Sequence, residues 1–221
     1  MDDRILQILE DSFTQLLIPG LTVTIPLTLL SFAFGLAIAL VLAVIRTANV
    51  PVLTNVARVY VWIFRGTPLL VQLFVIFFGL PSIGVTLDAF PSAVIAFSLN
   101  VGAYASEAIR AAISAVPKGQ FEAGYCVGMS YLTVMRRIVL PQAFRTAYPP
   151  LFNEFISLVK NTSLASSITV FEMFMSAQRI AARTYEPFWL YLEAAAIYLA
   201  FSTVLSQIQV WGEKRLAKYE Y

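Results

Sequence analysis

The sequence predicts an all-α integral membrane protein of five transmembrane helices, with its N-terminus outside and its C-terminus inside. Three observations carry that expectation. Of 221 residues, 59% are hydrophobic and only 13% are charged, about half the charged share of an ordinary soluble domain. The apolar residues collect in runs long enough to cross a bilayer as helices, the form in which a segment satisfies its own backbone groups in lipid. The Lys and Arg residues gather around alternate connections between those runs, as they do in short cytoplasmic loops.

The N-terminal stretch MDDRILQILEDSF is acidic and lacks the basic start of a cleaved signal, so the first run, residues 16–45, is read as a retained span. Pro19, Gly20 and Pro26 predict a bent or delayed start to it. The second span, residues 59–80, is expected to end at Pro81, with a local break at Gly66 and Pro68 and with Arg65 near its cytoplasmic side. A connection without Lys or Arg, PSIGVTLDAF, leads to the third span, residues 90–110. The fourth, residues 148–175, is the least apolar, because it contains Glu154, Lys160 and the hydroxyl-rich KNTSLASSIT, where a helix break is expected near Asn161, Thr162 and Ser163. The fifth, residues 188–211, is plain apart from Glu193.

Orientation follows from the basic residues. Arg46 and Arg58 flank one connection, Arg110, Lys118, Arg136, Arg137 and Arg145 fill another, and Lys214, Arg215 and Lys218 follow the last span. The opposite side holds Arg4, Arg179 and Arg183. An odd number of spans puts all three basic groups in the cytoplasm. Arg179 and Arg183, four apart, share a helical face that meets either lipid headgroups or an acidic partner outside.

Several chemistries are excluded. With no His and a single Cys, the chain cannot build a zinc cluster, an intrachain disulfide or a Ser/His or Cys/His pair, so neither metal binding nor catalysis is expected. No G-x-x-x-x-G-K-[ST] phosphate cradle occurs, so ATP is not bound by this chain. A net charge of +2 gives no reason to expect nucleic acid.

The cytoplasmic segment between the third and fourth spans is too long for a bare connection. Within residues 117–141, Pro117 suits a first helical turn, Gly128 a helix end and Pro141 a stop, which predicts two short helices joined near Gly128 and Met129. Ala123, Gly124 and Gly128 allow close backbone approach, and Glu122 offers a charge. Glu122, Ala123, Gly128, Ile138, Leu140 and Pro141 fit the pattern E-A-x-x-x-x-G-x9-I-x-L-P. This resembles the EAA loop of ATP-binding-cassette importer permeases, with Gly124 in place of the second alanine. The resemblance implies that the loop is a coupling helix docking on a cytoplasmic ATPase, which holds the ATP and Mg that this chain lacks.

RGTPLLVQLF, SLNVGAYASEAIRAAI, VPKGQ and LVKNTSLAS extend the likeness from about Val23 to the last span. They are similar to the polar amino-acid uptake permeases of the histidine, glutamine and cystine group. That likeness implies one transmembrane domain over residues 1–221, a second permease subunit of the same or a related chain, two ATPase copies, an extracytoplasmic solute-binding protein and a multi-pass place in a bacterial inner membrane. L-cystine is the expected cargo, with basic amino acids or glutamine as alternatives. A passive channel or an intramembrane enzyme would need neither the docking loop nor an ATPase.

Ionisable groups inside a membrane are costly and tend to face a cavity or a partner. Glu107 is expected to pair with Arg110 at i,i+3, Glu193 to reach interfacial water, and Lys160 to snorkel or to meet Glu154. A zwitterionic amino acid needs acceptors for its ammonium and donors for its carboxylate. Asn100 and Glu154, with Asn161, Thr162 and Ser163, are the candidate substrate residues, bundle-holding hydrogen bonds being the alternative role. Asn161 stands where many members of the resembled family carry aspartate, which leaves Glu154 as the candidate acidic group.

Overall fold

The computed structural model describes residues 3–47 and 51–217, and every regular element in them is helical. Among these residues, three helices are long and apolar enough to cross a membrane: Asp3–Thr47, Ala89–Ala115 and Pro187–Ala217. A bent pair, Pro51–Gly66 with Leu69–Ile83, makes a fourth when taken as one span. The predicted fourth span is not among them, because Arg145, Glu154 and Lys160 dilute its helix.

The first helix starts thirteen residues before the predicted boundary. Helix α1 (Asp3–Pro19) continues through a π turn at Gly20–Thr24 into α2 (Ile25–Thr47). Pro19 and Pro26 each lack a backbone donor, and the wider i,i+5 turn between them absorbs the change of register, so the helix neither stops nor starts late. The charged N-terminal turns are held by packing on one face. Leu16 is fully buried with Met173, Leu190 and Ala194, and Arg4 reaches Glu186 at 3.6 Å.

The second span is two helices. α3 (Pro51–Gly66) and α4 (Leu69–Phe74) meet at 106° across Thr67 and Pro68. Pro68 has no N–H and drives Thr67 out of the helical region, as the sequence predicts for this site. Pro81 does not end this unit. The chain continues through a π turn and a 3-10 turn, Leu80–Ile83, to Gly84, whose φ of 85° closes it.

Contacts set the helix directions. Gly35 of α2 lies on Val101 of α5 (Ala89–Ala115), Gly102 lies on Ile38, and Arg46 meets Glu107, so α2 and α5 run in the same direction. Their approach is close enough that a Cβ at Gly35 would stand 2.6 Å from a Val101 methyl, and one at Gly102 2.7 Å from an Ile38 methyl. Small residues of this kind let helices associate in lipid through packing. α1 likewise runs with α10 (Pro187–Ala217), since Ser12 bonds Glu193 and Gly20 faces Phe201. α8 (Leu140–Asn161) runs against them, with Tyr148 at Gly212 and Lys160 beside Tyr198. The basic C-terminal ends of α2, α5 and α10 thus share one end of the bundle. Lys218 lies outside the described residues.

The segment after α5 forms two helical pieces, as expected. α6 (Lys118–Cys126) ends where Gly128 adopts φ 79°, and Met129 N–H closes the turn on Gly124 O at 3.1 Å. α7 (Tyr131–Val134) begins at Ser130, whose hydroxyl accepts from Thr133 N–H. Pro141 does not stop the chain. A π turn at Met135–Val139 sends Leu140 N–H back to Met135 O and carries the helix from α7 directly into α8. Finally, α8 tightens into a 3-10 turn, Thr162–Ile168, and ends at Thr169 before α9 (Met173–Thr184).

Candidate functional site

The bend in the second span exposes the last carbonyls of α3 inside the bundle, where no water is available to satisfy them. Gln72 supplies the donor. Its Nε2 lies 2.8 Å from Phe64 O and 3.0 Å from Thr67 O, and its Oε1 accepts from Asn100 Nδ2 at 3.0 Å. Asn100 Nδ2 also points to Phe64 O at 3.3 Å, and both amides are buried. Asn100, a sequence candidate for substrate, is therefore engaged in bracing the bend. Arg65, in the last turn of α3 beside the bend, stacks 5.2 Å from the centroid of the Tyr104 ring, about one turn from Asn100.

The hydroxyl-rich run ends the α-helix where the sequence predicts, at Asn161, and continues as a 3-10 helix from Thr162. Thr162, Ser163, Ser166 and Ser167 each donate to the carbonyl three residues back, at 2.7, 2.7, 2.7 and 2.6 Å. These bonds match the 3-10 repeat, which explains why the helix narrows here and persists to Thr169. They also use up the donors. Thr162 is fully buried, and Ser163 has only lone pairs left to offer a ligand.

Lys160 and Ser163 line a cavity of about 470 Å³ with Phe174, Tyr191, Tyr198 and Ser202. The Ser202 hydroxyl is buried without a hydrogen-bond partner. Lys160 stands exposed at this cavity and makes no ion pair with Glu154, one of the two roles expected of it, the other being to snorkel. Glu154 itself is half-buried and has no hydrogen-bond or ion-pair partner. The other candidate at this level, Asn161, is also half-buried.

Glu154 flanks a stripe that the sequence reading missed. Thr146, Asn153, Ser157 and Lys160 recur at helical spacing along one face of α8, with Asn153 and Lys160 exposed. Hydropathy alone hides such a stripe; the 3.6-residue period reveals it. A different face carries the ladder Phe144, Tyr148, Phe152 and Phe155, packed against Phe32 of α2.

A second omission is Glu172, which is fully buried at the start of α9. Its Oε1 accepts from Met175 N–H at 2.7 Å, and its Oε2 accepts from Tyr198 Oη at 2.9 Å and Thr24 Oγ1 at 3.4 Å. One carboxylate thus caps α9 and joins the π turn of the first helix to α10. A lone acid within VFEMFM was the available signal.

At the basic end, Glu107 pairs with Arg110 at 2.9 Å, as i,i+3 spacing predicts, and also with Arg46 of α2. Glu193, expected to reach interfacial water, is half-buried at a surface groove and also accepts from Ser12 at 2.5 Å. Arg179 and Arg183 are both exposed on α9.

The loop residues divide into an inner and an outer set. Gly124 is buried, and a Cβ there would stand 2.7 Å from Val134 and 3.2 Å from Ile138, so glycine is the residue that lets α6 lie on the following helix. Glu122, Ala123, Gly128, Leu140 and Pro141 are exposed, together with Tyr125, Val127 and Leu132. The outcome is a firmly seated short helix with an open, partly apolar outer surface.

Residues 35–218 match the family described as "binding-protein-dependent transport system inner membrane component". The chain is 55% identical over 213 residues to the L-cystine transport system permease protein TcyB of Bacillus subtilis (strain 168), covering 96% of this chain and 91% of that one. It is 41% identical over 206 residues to the probable amino-acid ABC transporter permease protein PatM of Vibrio harveyi, covering 92% of each. Among solved structures, one chain of an amino acid ABC transporter with histidines superposes with a TM-score of 0.88 at 36% identity, covering 93% of this chain and 96% of that one.

Proposed function

We propose, from the premise that this chain belongs to the family of binding-protein-dependent transport system inner membrane components, that it carries L-cystine into the cell. It is a permease subunit of an amino-acid ABC importer, a membrane component without enzymatic activity of its own. The cystine assignment rests on the 55% identity to a cystine permease over nearly the whole of both chains. In this reading the chain crosses a bacterial inner membrane five times, with α8 and the bent pair each counted as a span. Two permease subunits form the path, a solute-binding protein delivers the cargo outside, and two cytoplasmic ATPases bind ATP and Mg.

The polar stripe of α8 is the observation that carries the transport path. Placing Asn153, Glu154, Ser157 and Lys160 on a helix that spans the membrane is costly unless they meet water, cargo or a second subunit. Glu154 has an acceptor free for a substrate ammonium, and Asn161 a carboxamide. The Lys160 ammonium and the Ser202 hydroxyl are donors for a carboxylate, and Ser163 adds an acceptor. We assign Asn100 and Thr162 to bracing the path instead of touching the cargo. The unpaired Glu154 also favours a second cargo class, the basic amino acids.

The loop 117–141 couples the permease to its ATPase. Glu122, Ala123, Gly128, Leu140 and Pro141 offer the docking surface, while Gly124 and Ile138 seat α6 beneath it. The test is uptake of radiolabelled L-cystine into proteoliposomes holding the purified permease, its ATPase and its binding protein. ATP-dependent accumulation that unlabelled L-arginine and L-glutamine do not suppress is the expected result. Cystine flux that persists without ATP would overturn the importer reading. Accumulation of arginine in place of cystine would overturn the cargo assignment alone.

A further inference from the structure

Glu172 is a fully buried carboxylate with no place in the path just described. Its contacts are unusual in their reach. Within its own helix it accepts from Met175 N–H, and the remaining oxygen takes hydroxyl donors from α10 and from the π turn of the first helix. Met173 N–H, one residue on, faces the same Thr24 hydroxyl at 3.4 Å. The π turn that absorbs Pro19 and Pro26 is therefore tied to the start of α9, and Glu172 is the tie.

Tyr198 connects that tie to the cavity. It lines the 470 Å³ space together with Lys160 and Ser163, and its hydroxyl donates to Glu172 at 2.9 Å. A phenol has few rotational freedoms, so one strong hydrogen bond at its tip sets where the ring stands. Without that acceptor, the hydroxyl is left with Thr162 as its neighbour on the helix-to-3-10 junction, so its tip shifts toward the cavity side and the wall changes.

We infer that Glu172 is a positioning residue for transport, which holds the Tyr198 ring as a fixed wall of the substrate cavity through the Tyr198 hydroxyl. The inference rests on the cavity's place in the transport path. Glu172 does not touch cargo, and its effect on the cavity wall passes through Tyr198. It also makes the cavity wall respond to the first helix, because Thr24 shares the same carboxylate oxygen.

The test uses the assembled complex in proteoliposomes and reads the initial rate of L-cystine uptake against the concentration of loaded binding protein. Tyr198→Phe keeps the ring and the α9 cap but frees the ring's tip, and Glu172→Met removes the acceptor at similar volume. Each is expected to lower kcat about tenfold, the loss of one buried hydrogen bond, with KM for the loaded binding protein unchanged because the Tyr198–Glu172 bond is internal to the chain. The double variant is expected to fall no further than either single one. Glu172→Gln, whose amide can donate to the phenol oxygen, is expected to stay within about twofold of the parent chain.

Three results overturn the inference: wild-type kcat in Tyr198→Phe, additive losses in the double variant, or a Glu172→Gln variant as impaired as Glu172→Met. Should Glu172→Met fail to assemble, Tyr198→Phe and Glu172→Gln still decide the matter. Lys160→Met and Ser202→Val separate the two readings. If both leave cystine uptake unaltered, the cavity lies off the path and both readings fall. If they impair uptake while Glu172 and Tyr198 act additively, only the positioning role falls.

Discussion

Asn100 Nδ2 donates to Gln72 Oε1 at 3.0 Å, joining α5 to the inner corner of a 106° bend. The two side-chain amides do together what water would do for a helix end in solution: they satisfy Phe64 and Thr67 carbonyls that the bend leaves open. Asn100→Leu is expected to lower the unfolding midpoint of the detergent-solubilised protein by the equivalent of about 1–3 kcal/mol, with the cargo concentration for half-maximal uptake unchanged in the protein that remains folded. A thermal melt paired with uptake kinetics checks this. An altered half-maximal concentration at unchanged stability would return Asn100 to the cargo.

The crossing of α2 and α5 has no room for a methyl group. Gly102→Ala places a carbon 2.7 Å from the Ile38 side chain and 3.1 Å from the Tyr60 hydroxyl. Forced repacking of this kind costs about 1–3 kcal/mol. The loss is expected as a lower melting temperature, and Ile38→Ala in the same chain should recover part of it. Absence of that recovery would mean that the helices separate more easily than their packing implies.

Glu154 is expected to meet the substrate ammonium. Glu154→Gln keeps size and polarity but removes the charge, so it should raise the cargo concentration for half-maximal uptake about tenfold or more while the complex still assembles. Concentration-dependent uptake measures this directly, and an unchanged value would sink the assignment.

Glu122 is exposed on α6, away from the contacts that seat the helix. Glu122→Lys should therefore leave the stability within about 0.5 kcal/mol of the parent, as for most surface changes. ATP-driven uptake should fall severalfold. Copurification of the ATPase, its hydrolysis rate and uptake are to be read together. Full assembly with full uptake would remove Glu122 from the coupling surface.

Much of this was legible in sequence for local reasons. Pro68 and Gly66 announce a bend because proline lacks a donor and constrains the residue before it, and the bend is there. Gly128 announces the corner between α6 and α7 because it takes a φ of 79°. The i,i+3 spacing of Glu107 and Arg110 announces their pair. Element ends were harder to read. Hydropathy stops at the charged residues of α1, but Leu16 and Ser12 hold those turns against α9 and α10. Pro26 and Pro141 read as interruptions because the π turns that accommodate them, Gly20–Thr24 and Met135–Val139, have no signature in single residues.

The amino-acid sequence by itself determined that the chain is a helical membrane protein with its basic ends grouped, that a structured loop lies between Ala115 and Leu140, and that this loop follows the EAA pattern. Those properties depend on composition, charge position and short-range spacing. The tertiary structure decided which polar groups are free. Asn100 meets an amide 28 residues away and Glu172 a hydroxyl 148 residues away, while Glu154 meets no partner. A buried polar side chain is committed or available according to what packs beside it, and that depends on helices that the chain brings together only when it folds.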